Sequence, residues 1–287
     1  MTYLKDLLTD KEIEERWLIK NLIGMGEIAI MYAPPDHHKT GMALKIAMEV
    51  ITGGQELGAS LTGNVYYFSL DTPKVEMMFR AKALAKNSYP DHLDQIGSSL
   101  EFEFDSADLN LLHENFGYDP KADWYEDKNG NVTEYISQKI SWYDRGDYDF
   151  NDSYKLVIID TLSKAIVGSG INEDTGIRKA IHNLKQWIKG ASGELSILLI
   201  HHTGKDKRKG MMGTSLLGND ISTVFSIKKK KDGFEIVREK HKSSLKGKGI
   251  PFKSRSVVID HNEKKHESIY VDIGLGLDEL SAEIVSQ

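Results

Sequence analysis

The run from Gly26 to Ile51, GEIAIMYAPPDHHKTGMALKIAMEVI, constrains this chain more than any other stretch. GEIAIMY (Gly26 to Tyr32) has the make-up of a buried strand. GMALKIAMEVI (Gly41 to Ile51) carries Met42, Ala43, Ile46, Ala47 and Val50 on one face at helical spacing. Between them lies Ala33-Pro34-Pro35-Asp36-His37-His38-Lys39-Thr40. A buried strand, a short loop and a helix that opens on Lys-Thr give the frame of a phosphate-binding loop, G-x-x-x-x-G-K-[ST]. Its two glycine positions are here Ala33 and His38.

The physics of such a loop separates what is kept from what is changed. Backbone N–H groups at a helix N-terminus bind phosphate, aided by the helix dipole. A lysine adds a point charge near the outer phosphates, and a Ser or Thr hydroxyl reaches Mg²⁺. Lys39 and Thr40 supply both, and the loop from Ala33 to Gly41 is the expected ATP-binding segment. The second glycine normally adopts a backbone shape that a Cβ disfavours. Histidine tolerates positive φ better than most residues, so His38 predicts a loop that forms with some strain. A plain turn joining strand to helix is the alternative reading.

The 287 residues include no cysteine, carry a net charge of −6 and are 40% hydrophobic. This suits one large soluble domain spanning 1–287 and excludes disulfide or thiolate chemistry. No signal peptide and no apolar run long enough for a bilayer is visible, so a cytoplasmic protein without membrane contact is expected. The charge is unevenly spread. From Glu101 to Asp152 there are 14 acidic and 4 basic residues; from His201 to Arg255 there are 15 basic and 5 acidic. The acidic stretch, rich in Tyr, Trp, Asn and Gly, reads as a surface insertion at about 101–152. The basic stretch is a candidate anion or nucleic-acid surface, whereas Lys228 to Lys231 alone also fits a solvated hairpin end.

Strands fit at 27–32, 64–70, 155–160 and 195–201, and helices at 40–52, 73–86 and 174–190. The alternation predicts an α/β fold with a mostly parallel sheet and helices on both faces. The last third changes to short strands separated by turns, which predicts antiparallel strands at the sheet edge.

Three strand ends carry polar groups that fit around the loop. KLVIIDTL ends its apolar run in Asp160, the expected Mg²⁺-side acid. NVYYFSLDTP ends in Asp71, which reads either as a general base for an attacking water or as a cap on the helix starting near Pro73, where Thr72 competes. LSILLIHHTGKD ends in His201-His202, a candidate γ-phosphate sensor; no ligand set with zinc spacing accompanies the pair. The Gly- and Lys-rich stretch that follows, with Lys205, Lys207, Arg208 and Lys209, suits a loop that contacts a polyanion. In REKHKSSLKGKG, Lys240 and Lys242 sit two apart on one strand face, either as a trans-acting cation pair or as lysines blunting an edge strand.

Taken together, RWLIKNLIGMGEIAIMYAPP, VYYFSLD, LVIIDTLSKAIVG and LLIHHTGKD…KGMMGTSLLGNDISTVFSI resemble the RepA-like ATPases of the RecA/DnaB superfamily, which include hexameric replicative helicases of plasmids and phages. The resemblance spans about Trp17 to Phe252, and the histidine pair with its following loop is its most specific part. It implies a RecA-like core, ATP and Mg²⁺ as ligands, single-stranded DNA and replication proteins as partners, and a homo-oligomeric, hexameric ring. It implies phosphate and Mg²⁺ binding by Lys39 and Thr40, catalysis by Asp71, Mg²⁺ held through Asp160 and γ-phosphate sensing by His202. Lys205 to Met212 would contact DNA, and Lys240 and Lys242 would act on a neighbour's site. Three departures, namely the absent glycines, Asp in place of Glu at 71 and Lys in place of Arg at 242, each predict slower hydrolysis. A recombination mediator or annealing protein, or a nucleotide-binding scaffold with impaired hydrolysis, are the competing functions.

Overall fold

The apolar runs become strands buried on both faces because helices pack on both sides of one sheet. In the computed structural model, described residues are 16–104, 124–126, 132–134, 154–166, 173–191, 194–203, 221–241, 249–261 and 264–273. A small hairpin, β1 (Trp17–Ile19) and β2 (Ile23–Gly24), precedes β3 (Ile28–Ala33) and helix α1 (Lys39–Thr52). Next come β4 (Asn64–Ser69), α2 (Lys74–Ser88), α3 (Leu93–Ser99) and β5 (Leu100–Glu103). Within the acidic stretch, β6 (Trp124–Glu126) and β7 (Val132–Glu134) pair with each other. The rest of 101–152 beyond Phe104 lies outside the described residues. Then follow β8 (Tyr154–Asp160), α4 (Leu162–Ala165), α5 (Glu173–Gly190), β9 (Ser196–His202), β10 (Thr223–Lys230), β11 (Gly233–His241), β12 (Ile250–His261) and β13 (Lys264–Asp272).

Nine of these strands form one sheet in the order β13-β12-β11-β10-β3-β9-β8-β4-β5. Every pair from β10 to β5 is parallel, and β10 to β13 are antiparallel. The α/β architecture expected from the alternation is therefore present, with the antiparallel edge where the sequence changes character. Lys228 to Lys231 lie exposed at the β10–β11 turn, with Lys228 paired to Glu239 and Lys230 to Glu235.

One core layer sits between the sheet and α1, α2 and α3; the other joins the sheet to α4 and α5 through Ile177, Ile181, Leu184 and Trp187. Helix α1 is enclosed on nearly all sides: besides the predicted apolar face, Leu44, Lys45, Met48, Glu49 and Ile51 are buried. Burying each large apolar side chain stabilises by about 1.5–3 kcal/mol, enough to offset the poor helix propensity of Thr40 and Gly41. The enclosure is completed by β12 and β13. β12 pairs with β11 only from Ile250 to Phe252, then turns away with β13 to cover α1 and α2. Val271 reaches the start of α1 so closely that a Cβ on Gly41 would lie 2.9 Å from its Cγ2. That approach accounts for glycine at 41.

Parallel pairing aligns the C-terminal ends of β3, β9, β8 and β4 on one edge. Ala33 lies level with His202, and Ser69 with Asp160. Ligands of open α/β sheets bind outside this edge.

Candidate functional site

The loop after β3 takes the predicted shape without glycine. Asp36 has φ 59° and His38 has φ 56° and ψ 32°, both in the left-handed region. No side chain caps α1, whose first hydrogen bond runs from Met42 N–H to the His38 carbonyl at 2.9 Å. The N–H groups of the first turn have no partner within the helix and face the loop's concave side. The Lys39 ammonium folds back over the loop, donating to the carbonyls of Ala33 (3.1 Å) and Pro34 (2.9 Å). Burial lowers its pKa, against the pull of Asp160, Asp71 and Asp36. Among the described residues no carboxylate lies within 4 Å of it, so its charge is left for an incoming anion. His37 pairs its Nδ1 with the Pro35 carbonyl at 2.8 Å.

Two hydroxyls converge on one buried carboxylate. Asp160 is only 2% exposed, and its Oδ2 accepts hydrogen bonds from Thr40 Oγ1 (2.7 Å) and Tyr67 Oη (2.9 Å). Burial raises the Asp160 pKa; the two hydroxyls and Lys39 oppose that shift, and Asp71 adds to it. Burial, then Asp160, push the Tyr67 phenol well up, so it remains a donor. A hydroxyl and a carboxylate with hard oxygen donors, 2.7 Å apart beside a phosphate loop, fit Mg²⁺. Among the described residues no cluster of three or more His, Asp or Glu that would hold a metal is present. That too fits Mg²⁺, which takes one or two protein ligands and completes its shell with phosphate and water.

Asp71 sits two residues beyond β4, half exposed. Its carboxylate lies 3.8 Å from His202 Nε2 and 4.0 Å from Lys164 Nζ. It does not cap α2: the N-cap is Pro73, without a side-chain hydrogen bond. His202, at the tip of β9, has its pKa lowered by burial and then by Lys39, which outweigh Asp71 and favour the neutral ring. His201, its neighbour, points into the buried interior at 1% exposure.

Lys39, Thr40, Asp71, Asp160 and His202 are thus gathered at one sheet edge. Lys240 is not. It pairs with Val224, which in turn pairs with Ile30, mid-way along β3, and its Nζ donates to the Ile221 carbonyl at 3.1 Å. Lys242, Lys205, Lys207, Arg208 and Lys209 lie outside the described residues. Sequence reading missed Tyr67, the second donor to Asp160; the repeated Tyr in NVYYFS marks a strand but not which ring turns toward β8. It also missed Phe234, whose ring meets those of His38 (centroids 4.8 Å) and His37 (5.7 Å). A cleft of about 370 Å³ opens beside the loop, lined by Tyr32, Pro34, His37, Ser226 and Glu239 among others. Glu239 there accepts from Tyr32 Oη and Ser226 Oγ, each at 2.6 Å.

Among the described residues no helix is long and apolar enough to cross a membrane. A search of curated protein sequences gave no match. Among solved structures, the chain is similar to the ATPase domain of a phage DnaB-like helicase, with a TM-score of 0.50 and 13% identity over 79% of this chain and 80% of that one. At that identity the likeness shows the fold, a RecA-like α/β ATPase core. Residues 4–208 match the family model described as an AAA domain, AAA_25, and over this majority of its length the chain belongs to that family of P-loop ATPases.

Proposed function

We propose that the chain is an ATP-hydrolysing, single-stranded-DNA-dependent motor that works as a ring of identical subunits, hexameric as in the superfamily it resembles, and acts as a replicative DNA helicase. The observation that carries the ATPase half is the Thr40–Asp160 contact at 2.7 Å beside Lys39, with the Asp71–His202 pair on the neighbouring strand ends. Lys39 exchanges its loop carbonyls for the β- and γ-phosphate oxygens. The first-turn N–H groups of α1 take the remaining phosphate oxygens. Thr40 and Asp160 hold Mg²⁺, which when bound neutralises charge that develops on the phosphates. Asp71 orients the attacking water and receives its proton. The water oxygen forms the new bond to the γ-phosphorus as the bond to the β–γ bridging oxygen breaks, and ADP and phosphate result. Neutral His202, 3.8 Å from Asp71, is placed to feel whether the γ-phosphate is present.

The ring half rests on Lys240. Being level with Ile30 rather than with the loop, it has no route to its own subunit's phosphates, so any role in hydrolysis is played on a neighbouring copy. The segment after His202 supplies the DNA contacts, mainly to backbone phosphates, so binding weakens steeply with salt. The test is ATP turnover with and without single-stranded DNA, followed by unwinding of a forked duplex, with Lys39→Ala as control. Stimulated turnover and unwinding, both lost in the variant, support the reading. Turnover without unwinding redirects it to a mediator or annealing protein. Lys39-dependent ATP binding without turnover redirects it to a scaffold, a reading favoured by the short, exposed Asp71 where the related enzymes carry Glu.

A further inference from the structure

His38 holds a backbone conformation that costs an L-residue energy and that glycine adopts freely. Its own helix gives no help, because α1 has no side-chain cap. The contact that bears on it comes from the opposite end of the chain. Phe234 is the second residue of β11, directly after the β10–β11 turn. Its ring meets the His38 ring edge-on, with centroids 4.8 Å apart and planes at 83°. The His37 ring meets it in the same manner at 5.7 Å and 67°. This is the preferred aromatic geometry, in which a positive ring edge faces a negative π face.

Phe234 is itself held in place. It stacks on Phe252 of β12 with centroids 5.5 Å apart and planes at 20°. The preceding Gly233 has φ 145°, and a Cβ there would stand 2.6 Å from the Phe252 carbonyl oxygen. The close approach of β11 to β12 at this glycine seats the Phe234 ring against Phe252 on one side and the loop on the other. Burial, followed by the charges of Arg80 and His37, lowers the His38 pKa, in keeping with a neutral ring edge.

Resting on the reading that this loop binds nucleotide phosphate, we propose that Phe234 is a positioning residue for it: braced by Phe252, its ring holds His38 in the left-handed conformation and so replaces the missing glycine. Phe234 does not touch the phosphates. It sets the fraction of molecules whose loop amides already point at them, and a smaller competent fraction weakens apparent affinity in proportion.

A double-mutant cycle between Phe234→Ala and His38→Gly separates this role from mere packing. Glycine reaches the left-handed region unaided, so the dependence on Phe234 vanishes in the His38→Gly background. The first readout is affinity for Mg²⁺-ATPγS, with Lys39→Ala as the site control. Phe234→Ala is expected to weaken binding about fivefold in the native background, in line with an aromatic pair, and less than about twofold beside His38→Gly. The second readout needs no nucleotide. Hydrogen exchange at the Met42 amide, which closes the first helical bond onto His38, rises in Phe234→Ala and returns toward the native rate in the double variant. Phe234→Leu, which keeps most of the volume but not the π face, gives the same pattern if the alanine variant folds poorly. Equal losses in both backgrounds, in binding and in exchange, overturn the proposal and make Phe234 a packing residue. Nucleotide binding indifferent to Lys39→Ala overturns the phosphate-loop reading instead, while the exchange cycle still decides on Phe234.

Discussion

Helix α1 carries a lysine, a carboxylate and a tyrosine hydroxyl near each end, and the two sets are built for different ends. At the start of the helix, Lys39 donates only to loop carbonyls, while Asp160 takes hydroxyls from Thr40 and Tyr67. Further along the helix, Lys45 and Glu49 are both fully buried. There Lys45 Nζ lies 3.0 Å from Glu56 and 3.8 Å from Glu49, and sits over the Tyr89 ring at 4.4 Å. Glu49 accepts from Tyr89 Oη at 2.6 Å and from the Leu57 amide at 3.4 Å. The second set is closed on itself, with each charge answered within the protein. In the first set the cation and the carboxylate are held apart, and both retain capacity for a ligand. Similar side chains thus make a brace where they are paired and a site where they are kept from pairing.

The largest effects break this contrast at the lysines. Lys45→Ala leaves Glu49 buried without its helix-borne cation, and loss of one partner of a buried pair costs about 3–5 kcal/mol. That is a large share of a typical total stability of about 5–15 kcal/mol, so thermal melting should fall sharply while the folded fraction still binds nucleotide. Lys39→Ala should do the reverse: turnover falls about 100-fold or more, as when a charge-stabilising donor is removed, with little change in melting. Melting curves and nucleotide titrations on the two variants decide it. If both variants lose stability alike and neither loses binding, the two ends of α1 are not functionally distinct.

A finer contrast uses the tyrosines. Tyr89→Phe removes a hydrogen bond to a buried carboxylate and should cost about 1.5–3 kcal/mol, read as a drop in denaturation midpoint. Tyr67→Phe leaves Asp160 with Thr40, so its stability cost should be smaller, and its main effect should be a changed Mg²⁺ requirement for nucleotide binding. Equal stability losses with an unaltered Mg²⁺ titration would mean that Asp160 is also a closed structural group.

Much of this site is legible in the sequence, because parallel strands bring the residue at each strand's C-terminal end to one edge whatever the loops between them do. That is why apolar runs and their last residues lead to Lys39, Asp71, Asp160 and His202. His38 is legible as an oddity, since the need for a left-handed residue follows from the spacing alone. Its partner is not: Phe234 comes from a strand nearly two hundred positions later, and nothing local to either residue announces the meeting. Lys240 shows the same limit. Its distance from its own loop depends on the register of β11 against β10, which shifts between Val224 and Phe225, and such a shift leaves no periodic trace. The closed brace at Lys45 is hidden because Lys and Glu four apart on a helix usually mark an exposed face, whereas here α3 and the segment after α1 bury them.

The smallest effects are in pH, and the two sides of the phosphate site give them opposite signs. Asp160 has a raised pKa in the folded chain, so the folded state holds a proton that the unfolded state has released above about pH 3.9. Its contribution is therefore full below that pH and declines as pH rises through the folded value. Asp160→Asn removes this decline, raises melting by a few degrees at neutral pH and abolishes Mg²⁺-dependent binding. His202 has a lowered pKa, so the unfolded chain takes up its proton first as pH falls below about 6.5. Its contribution is present above that pH and is lost as pH falls toward the folded value. Being partly exposed, it should give a shallow slope that His202→Gln flattens. Mg²⁺-nucleotide, which favours ionised Asp160, should bind more tightly as pH rises through the Asp160 window and release a proton there. Calorimetric titration in buffers of different ionisation enthalpy measures that release directly. Its absence in the native chain would mean that Asp160 is already ionised before the ligand arrives, and its survival in Asp160→Asn would assign the proton to another group.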